Sequence, residues 1–195
     1  MKKTILLTSA IFCGIFSMTS SCVAESENGI DEEILMYDSG IPTGLSGTSL
    51  LGNVAQAVRF TPPSSPWTLT KIQIAGWNGY DNDTIPNAEK LIYLEIRDKD
   101  LNLLYQYADS HIPYFTYTSV VLATIEIAPT TLDDDFYVCF YDRGAVGVAY
   151  NITEIDDGRS FFYDRYTKEL VPARAEVSGS DELAPLSWII RAVGY

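Results

Sequence analysis

The sequence predicts an all-β fold: a single antiparallel β-sandwich, jelly-roll-like, with eight or nine strands over residues 34–195. Three observations lead there. Apolar residues recur with period two rather than 3.6 along most of the chain. The alternating runs are rich in β-branched and aromatic residues, which fit a pleated surface. All nine prolines fall between these runs or at their edges, where a missing ladder donor does no harm.

The runs follow in order. Val54, Gln56, Val58 and Phe60 share one face, with Ala55, Ala57 and Arg59 opposite. Ile72 and Ile74 alternate with Lys71 and Gln73. Ile92, Leu94 and Ile96 point inward, and Glu95 and Arg97 outward. Leu103, Tyr105 and Tyr107 alternate next, then Val121, Ala123, Ile125 and Ile127. Phe136, Val138 and Phe140 face one side, and Tyr137, Cys139 and Tyr141 the other. Val146, Val148 and Tyr150 follow, then 161–163, then Trp188, Ile190 and Ala192. Tyr37-Asp38-Ser39-Gly40 and Tyr141-Asp142-Arg143-Gly144 share turn chemistry: aspartate bonds the following amides and glycine permits positive φ.

Residues 1–24 read as a secretory signal peptide. Lys2 and Lys3 form the charged start, and Ile5–Phe16 is an apolar stretch of 12 residues, short of the roughly 20 that a membrane helix needs. Two processing sites compete. Cys22-Val23-Ala24 suits cleavage after Ala24, whereas Thr19-Ser20-Ser21-Cys22 is a degenerate lipobox that would acylate Cys22. Either route places the domain outside the cytoplasm, secreted or at the cell surface. Residues 25–33 are a flexible acidic spacer, and the domain follows from residue 34.

Charge narrows the partners. Removing Lys2 and Lys3 takes 13 cations to 11 against 26 acids, a net −15. That disfavours nucleic acid and anionic lipid, so a membrane is reached only through a lipid on Cys22. Without Cys13 and Cys22, Cys139 has no partner for an intramolecular disulfide and reads as a small packed hydrophobe.

No catalytic residue emerges. His111 is the single histidine and reads as an exposed or capping loop residue. One histidine and one cysteine do not make a zinc site. Calcium, which takes loop carboxylates, fits better. Its candidates are Asp81 and Asp83, then Asp133, Asp134 and Asp135. Asp156-Asp157 is a third acidic cluster that qualifies for calcium. Sugar-binding sandwiches stack pyranose faces on aromatic rings, and here Trp77, Asn78, Tyr80, Tyr114 and Tyr117 sit in predicted loops. Trp67 and Trp188 read as core. Asn82 and Asn151 begin Asn-x-Thr triplets, candidate glycosylation acceptors.

Several motifs occur in a fixed order: Tyr37-Asp38-Ser39-Gly40, Val58-Arg59-Phe60-Thr61-Pro62-Pro63, Trp67-Thr68-Leu69-Thr70-Lys71-Ile72, Leu94-Glu95-Ile96-Arg97-Asp98, Asp135-Phe136-Tyr137-Val138, Arg159-Ser160-Phe161-Phe162 and Trp188-Ile189-Ile190-Arg191-Ala192. In that order they resemble an uncharacterised β-sandwich domain of secreted and surface proteins from methanogenic archaea and some bacteria, sometimes appended to peptidases. The family often has Asn before the final Trp, where this chain has Ser187. The resemblance implies an extracellular jelly-roll-like module and no catalytic residue.

Three function classes stay open. The leading one is a non-catalytic secreted or surface module with a structural, adhesive or interaction role, meeting a glycan or a surface protein. The second is a carbohydrate-binding module, with or without calcium. The third is an extracellular hydrolase, whose paired carboxylates about 5–9.5 Å apart cannot be picked out from 26 acids.

Overall fold

The computed structural model describes residues 31–47, 52–78, 91–177, 179 and 182–195. The chain divides into two units, Met1–Ile30 and Asp31–Tyr195. All that follows concerns the second.

Fourteen strands form among the described residues. In chain order they are β1 (Glu33–Leu35), β2 (Gly44–Ser46), β3 (Val54–Phe60), β4 (Trp67–Trp77), β5 (Leu91–Asp98), β6 (Leu103–Ser110) and β7 (Val121–Leu132). Then come β8 (Phe136–Tyr141), β9 (Gly147–Ile152), β10 (Ser160–Asp164), β11 (Glu169–Pro172), β12 (Arg174–Glu176), β13 (Leu183–Trp188) and β14 (Ile190–Gly194). The fold is an all-β sandwich of two antiparallel sheets. The first sheet has eight strands in the order β1-β14-β4-β9-β13-β12, with β2 on β9 and β7 on β4. The second has six, in the order β11-β10-β3-β8-β5-β6.

The expected eight or nine strands become fourteen for local reasons. β1, β2 and β12 are three residues each and β11 is four, too short to show a period. The final run is divided at Ile189, whose N–H bonds the Ala149 carbonyl while its own carbonyl takes the Ala75 N–H. Pairing also starts inside the segment expected as a spacer, because Glu33 pairs Gly194. Two prolines depart from the expected pattern. Pro129 and Pro185 lie within β7 and β13. β7 is paired only to β4 and bulges where Thr70 faces three residues including Pro129, so the lost donor disrupts no ladder.

The inward faces are those the alternation predicts. Phe60, Trp67, Leu69, Ile72, Ile74, Ile92, Leu94, Ile96, Ile125, Phe136, Val138, Phe140, Val148, Trp188 and Ile190 are buried in one cluster between the sheets. Rings interlock there: Phe60 and Phe136 centroids are 5.5 Å apart, and Phe162 meets the Trp188 edge at 5.3 Å. The Trp188 indole N–H donates to the Phe161 carbonyl at 3.0 Å, so its polar atom is satisfied inside the core. Leu103 breaks the alternation. A register shift at Ile96/Arg97 sets it opposite Arg97, and its side chain is exposed.

Outer faces are less open than alternation implies. Glu95 and Arg97 point away from the core, as expected, yet both are buried. All six residues of β8 are buried. The cause is a second cluster on the outer face of the six-stranded sheet: Ala55, Ala57, Tyr137, Cys139, Tyr141 and Tyr163, with Leu101 and Leu170 against it. Small residues in β3 and mid-β8 leave a floor on which the larger side chains lie.

On the eight-stranded sheet, residues 36–43 are tied down as they run from β1 to β2. Arg191 donates to both Asp38 oxygens, at 3.0 and 2.7 Å, a two-pronged charge-assisted pair. The Asn151 side chain accepts from the Ser39 N–H at 3.0 Å and donates to the Ile41 carbonyl.

Candidate functional site

Strand alternation decides where β4 delivers its last residue. Ile72 and Ile74 enter the core, so Gly76 also faces inward and Trp77 faces out. Gly76 has to be glycine: a Cβ there would lie 2.7 Å from the Phe115 ring and 3.0 Å from Val146. That close approach lets Phe115 drop into the core, where its ring lies 6.0 Å from Phe140. Phe115 thereby anchors the loop between β6 and β7, whose turn is closed by the Tyr114 and Phe115 N–H groups on the His111 carbonyl.

The anchored loop presents Tyr117 beside Trp77. Their rings stack at 6.0 Å with planes 26° apart, and the indole N–H donates to the Tyr117 carbonyl at 2.6 Å. The Asn78 N–H donates to the Thr116 carbonyl, fixing the two loops together. Trp77 is half-buried, while Tyr117 is 57% exposed. Where β6 runs into this loop, the Tyr107 and Tyr114 hydroxyls both donate to one Asp109 oxygen, at 2.7 and 2.9 Å. The Tyr107 hydroxyl, then the Ser110 backbone N–H and the Tyr114 hydroxyl, hold the Asp109 carboxyl below its ordinary range. In return, Tyr107 is pushed well up by its bonds to Tyr114 and Asp109, and Tyr114 is pushed up chiefly by burial.

Of the five predicted ligand residues, the structure gathers Trp77, Asn78 and Tyr117, and sets Tyr114 in a separate hydroxyl–carboxylate group with Tyr107 and Asp109. Asn78 is fully buried, so it braces the site rather than lining it. Tyr80 lies outside the described residues, as do Asp81, Asn82, Asp83 and Cys22. His111 corrects an expectation: it is fully buried, not an exposed loop histidine, because the turn it opens is drawn inward by Phe115.

Of the remaining calcium candidates, Asp156 is paired to Arg174 at 3.1 Å, while Asp133, Asp134 and Asp135 line a cleft of about 230 Å³ with Asp98, Lys99 and Asp100. Each is directed to a different neighbour. Asp133 accepts from the Ser65 hydroxyl, Asp134 takes Lys99 at 2.5 Å, and Asp135 is 4.0 Å from Arg59. The bond from Lys99 holds the Asp134 carboxyl down and raises the Lys99 ammonium. Among the described residues, no three carboxylate, histidine or cysteine side chains converge in a metal-holding group. Asn151 is buried, and both ends of its amide are engaged by residues 39–41, so in the folded chain it presents no acceptor for a glycan.

One charged centre was not anticipated from the sequence. Glu95 is fully buried on the outer face of β5. Arg97 reaches its Oε2 through Nε at 2.9 Å and a terminal nitrogen at 2.8 Å. Arg165, from the β10–β11 turn, reaches Oε1 at 2.6 Å, and the Tyr141 hydroxyl donates to Oε2 at 2.8 Å. Burial opposes the Arg97 charge, but the bond and charge of Glu95 outweigh it and raise the guanidinium. Beneath the network lies Cys139, its thiol pushed well up by burial and then by Glu95, which makes it inert. The sequence signal was present: Glu95 and Arg97 lie two residues apart on one face, next to the face carrying Tyr137, Cys139 and Tyr141.

No protein-family model matches the chain, and no curated protein matches it. The resemblance drawn from the ordered motifs rests on those residues alone.

Proposed function

We propose that the protein is an exported, non-catalytic β-sandwich module that binds an extracellular partner through the Trp77–Tyr117 rim, and that the partner is a glycan. The observation that carries this reading is the pre-ordered stack itself. A tyrosine ring 57% exposed to water lies against an indole whose N–H is already bound to the same residue's backbone. Exposed aromatic surface costs free energy unless a partner covers it. Sugar faces are suitable covers, since their C–H edges pack on rings while their hydroxyls seek groups such as Asp109 and Tyr114. Fixing the rings before binding reduces the entropy lost on association.

Export is inferred from the leader, and the lack of a catalytic role from where the buried ionisable groups are committed. Glu95 is bound by two arginines and a tyrosine, and Asp38 by Arg191. A glycan array probed with the purified protein tests the reading. Retention on a subset of glycans is expected, with at least a tenfold loss for Tyr117→Ala. Equal retention of the variant, or no retention of either protein, would remove the glycan assignment.

A further inference from the structure

The outer face of the six-stranded sheet carries an excess of positive charge on a strongly acidic chain. Glu95 is its buried carboxylate, and three guanidinium groups meet there: Arg97, Arg165 and Arg143. Arg97 is fully committed, with two nitrogens on Glu95 and the third on the Leu101 carbonyl at 2.6 Å. The other two lie over neighbouring rings. Arg165 Cζ is 5.0 Å from the Tyr141 centroid, and Arg143 Cζ is 5.7 Å from the Tyr93 centroid. Tyr93 and Tyr141 are direct cross-strand partners of β5 and β8, so the two guanidinia cover adjacent rings.

Arg143 differs from its neighbours. Among the described residues it is paired to no carboxylate, and its one hydrogen bond is a long 3.5 Å contact to the Tyr93 hydroxyl. Its Nε–H is buried and meets no acceptor. That nitrogen is packed against Gly52, so the terminal N–H groups are the ones a ligand can meet. The backbone also holds this side chain in place against local preference. Arg143 adopts φ 52°, a left-handed conformation uncommon for a residue other than glycine, and Gly144 follows at φ 74°. The stem packs on Gly52, itself at φ 65°, where a Cβ would come within 3.1 Å of Arg143 Cγ. Unusual conformations of this kind are kept where the surroundings over-determine them.

We infer that Arg143 and Arg165 form an oxyanion site: a sulfate, phosphate or carboxylate group held against the two guanidinia where they lie on Tyr93 and Tyr141, accepting from the terminal N–H groups of Arg143. The guanidinium fork matches two oxygens of such a group, and the aromatic floor keeps water from competing. This site is separate from the Trp77–Tyr117 rim, which belongs to the other sheet, so either can fail without the other.

The test is a titration of ¹⁵N-labelled protein with sodium sulfate, followed at the arginine Nε–H resonances, against sodium chloride at equal ionic strength. Through-bond assignment identifies the Arg143 signal in the wild type, so the result does not depend on a variant folding. A saturable shift at Arg143 in the millimolar range, with a smaller one at Arg165, is expected with sulfate and not with chloride. Arg143→Lys, which keeps the charge but loses the fork, should weaken binding at least tenfold. A sulfated polysaccharide binding tenfold tighter than free sulfate would assign the group to a polymer; equal affinity per sulfate would assign it to the free ion. A linear shift without saturation, or the same response in chloride, overturns the site, as does undiminished binding in Arg143→Lys.

Discussion

Removing the Glu95 carboxylate is the sharpest perturbation of the outer-face network. In Glu95→Ala, Arg97, whose side chain is only 10% exposed, loses its counter-charge and two bonds, and Arg165 and Tyr141 lose one bond each. Breaking a buried pair by deleting one partner costs about 3–5 kcal/mol, because the remaining charge is stranded without water or a counter-ion. For a chain of this size each kcal/mol lowers Tm by about 2–4 °C, so a fall of about 6–20 °C is expected. Arg165→Ala, which removes a partner 29% exposed, should cost clearly less. Thermal unfolding followed by circular dichroism reads both. A Glu95→Ala protein melting within about 2 °C of the wild type would refute the reasoning, since the network would then contribute no more than an exposed pair.

Other expectations follow from the same burial. Cys139 should resist a thiol reagent in the native protein and react fully once unfolded; fast native labelling would contradict its place under the network. Tyr141 and Tyr163 are pushed up mainly by burial, and Tyr107 by its bond to Tyr114 and then to Asp109. A raised phenol holds its proton more tightly when folded, so its contribution is fully present below the unfolded value near about pH 10 and is lost as pH rises beyond it. Tyrosinate absorbance at pH 11 should therefore fall short of the 13 tyrosines and complete only on unfolding, whereas full native ionisation would contradict the buried hydroxyls. Asp133, Asp134 and Asp135 face three different neighbours, so cycling between millimolar calcium and chelator should leave Tm unchanged. A calcium-dependent rise that disappears in Asp134→Asn would show that these carboxylates converge on the ion.

Much of the fold could be read in the chain. Period two identified which residues share a face, and the inward set from Ile72 and Ile74 to Trp188 and Ile190 is the observed core. It could not say whether the opposite face is covered, because covering depends on residues distant in sequence. Arg165 comes from a turn 70 positions away from Glu95. His111 misled for a related reason: Asp-Ser-His-Ile-Pro is loop chemistry locally, and only Phe115 entering the core draws the turn inward. The aromatic rim was partly legible, since Trp77 and Tyr117 stood out as loop aromatics. Their stacking was not, because it needs Gly76 to admit Phe115 before the loop can present Tyr117.

Tryptophan fluorescence under glycan titration most directly tests the central claim that the Trp77–Tyr117 rim is a binding surface. Trp67 and Trp188 are each 1% exposed, so a ligand-induced change should come from Trp77. The account predicts a saturable change with at least one soluble polysaccharide and its disappearance in Trp77→Phe. A change that persists in that variant, or a spectrum indifferent to every glycan offered, would contradict it.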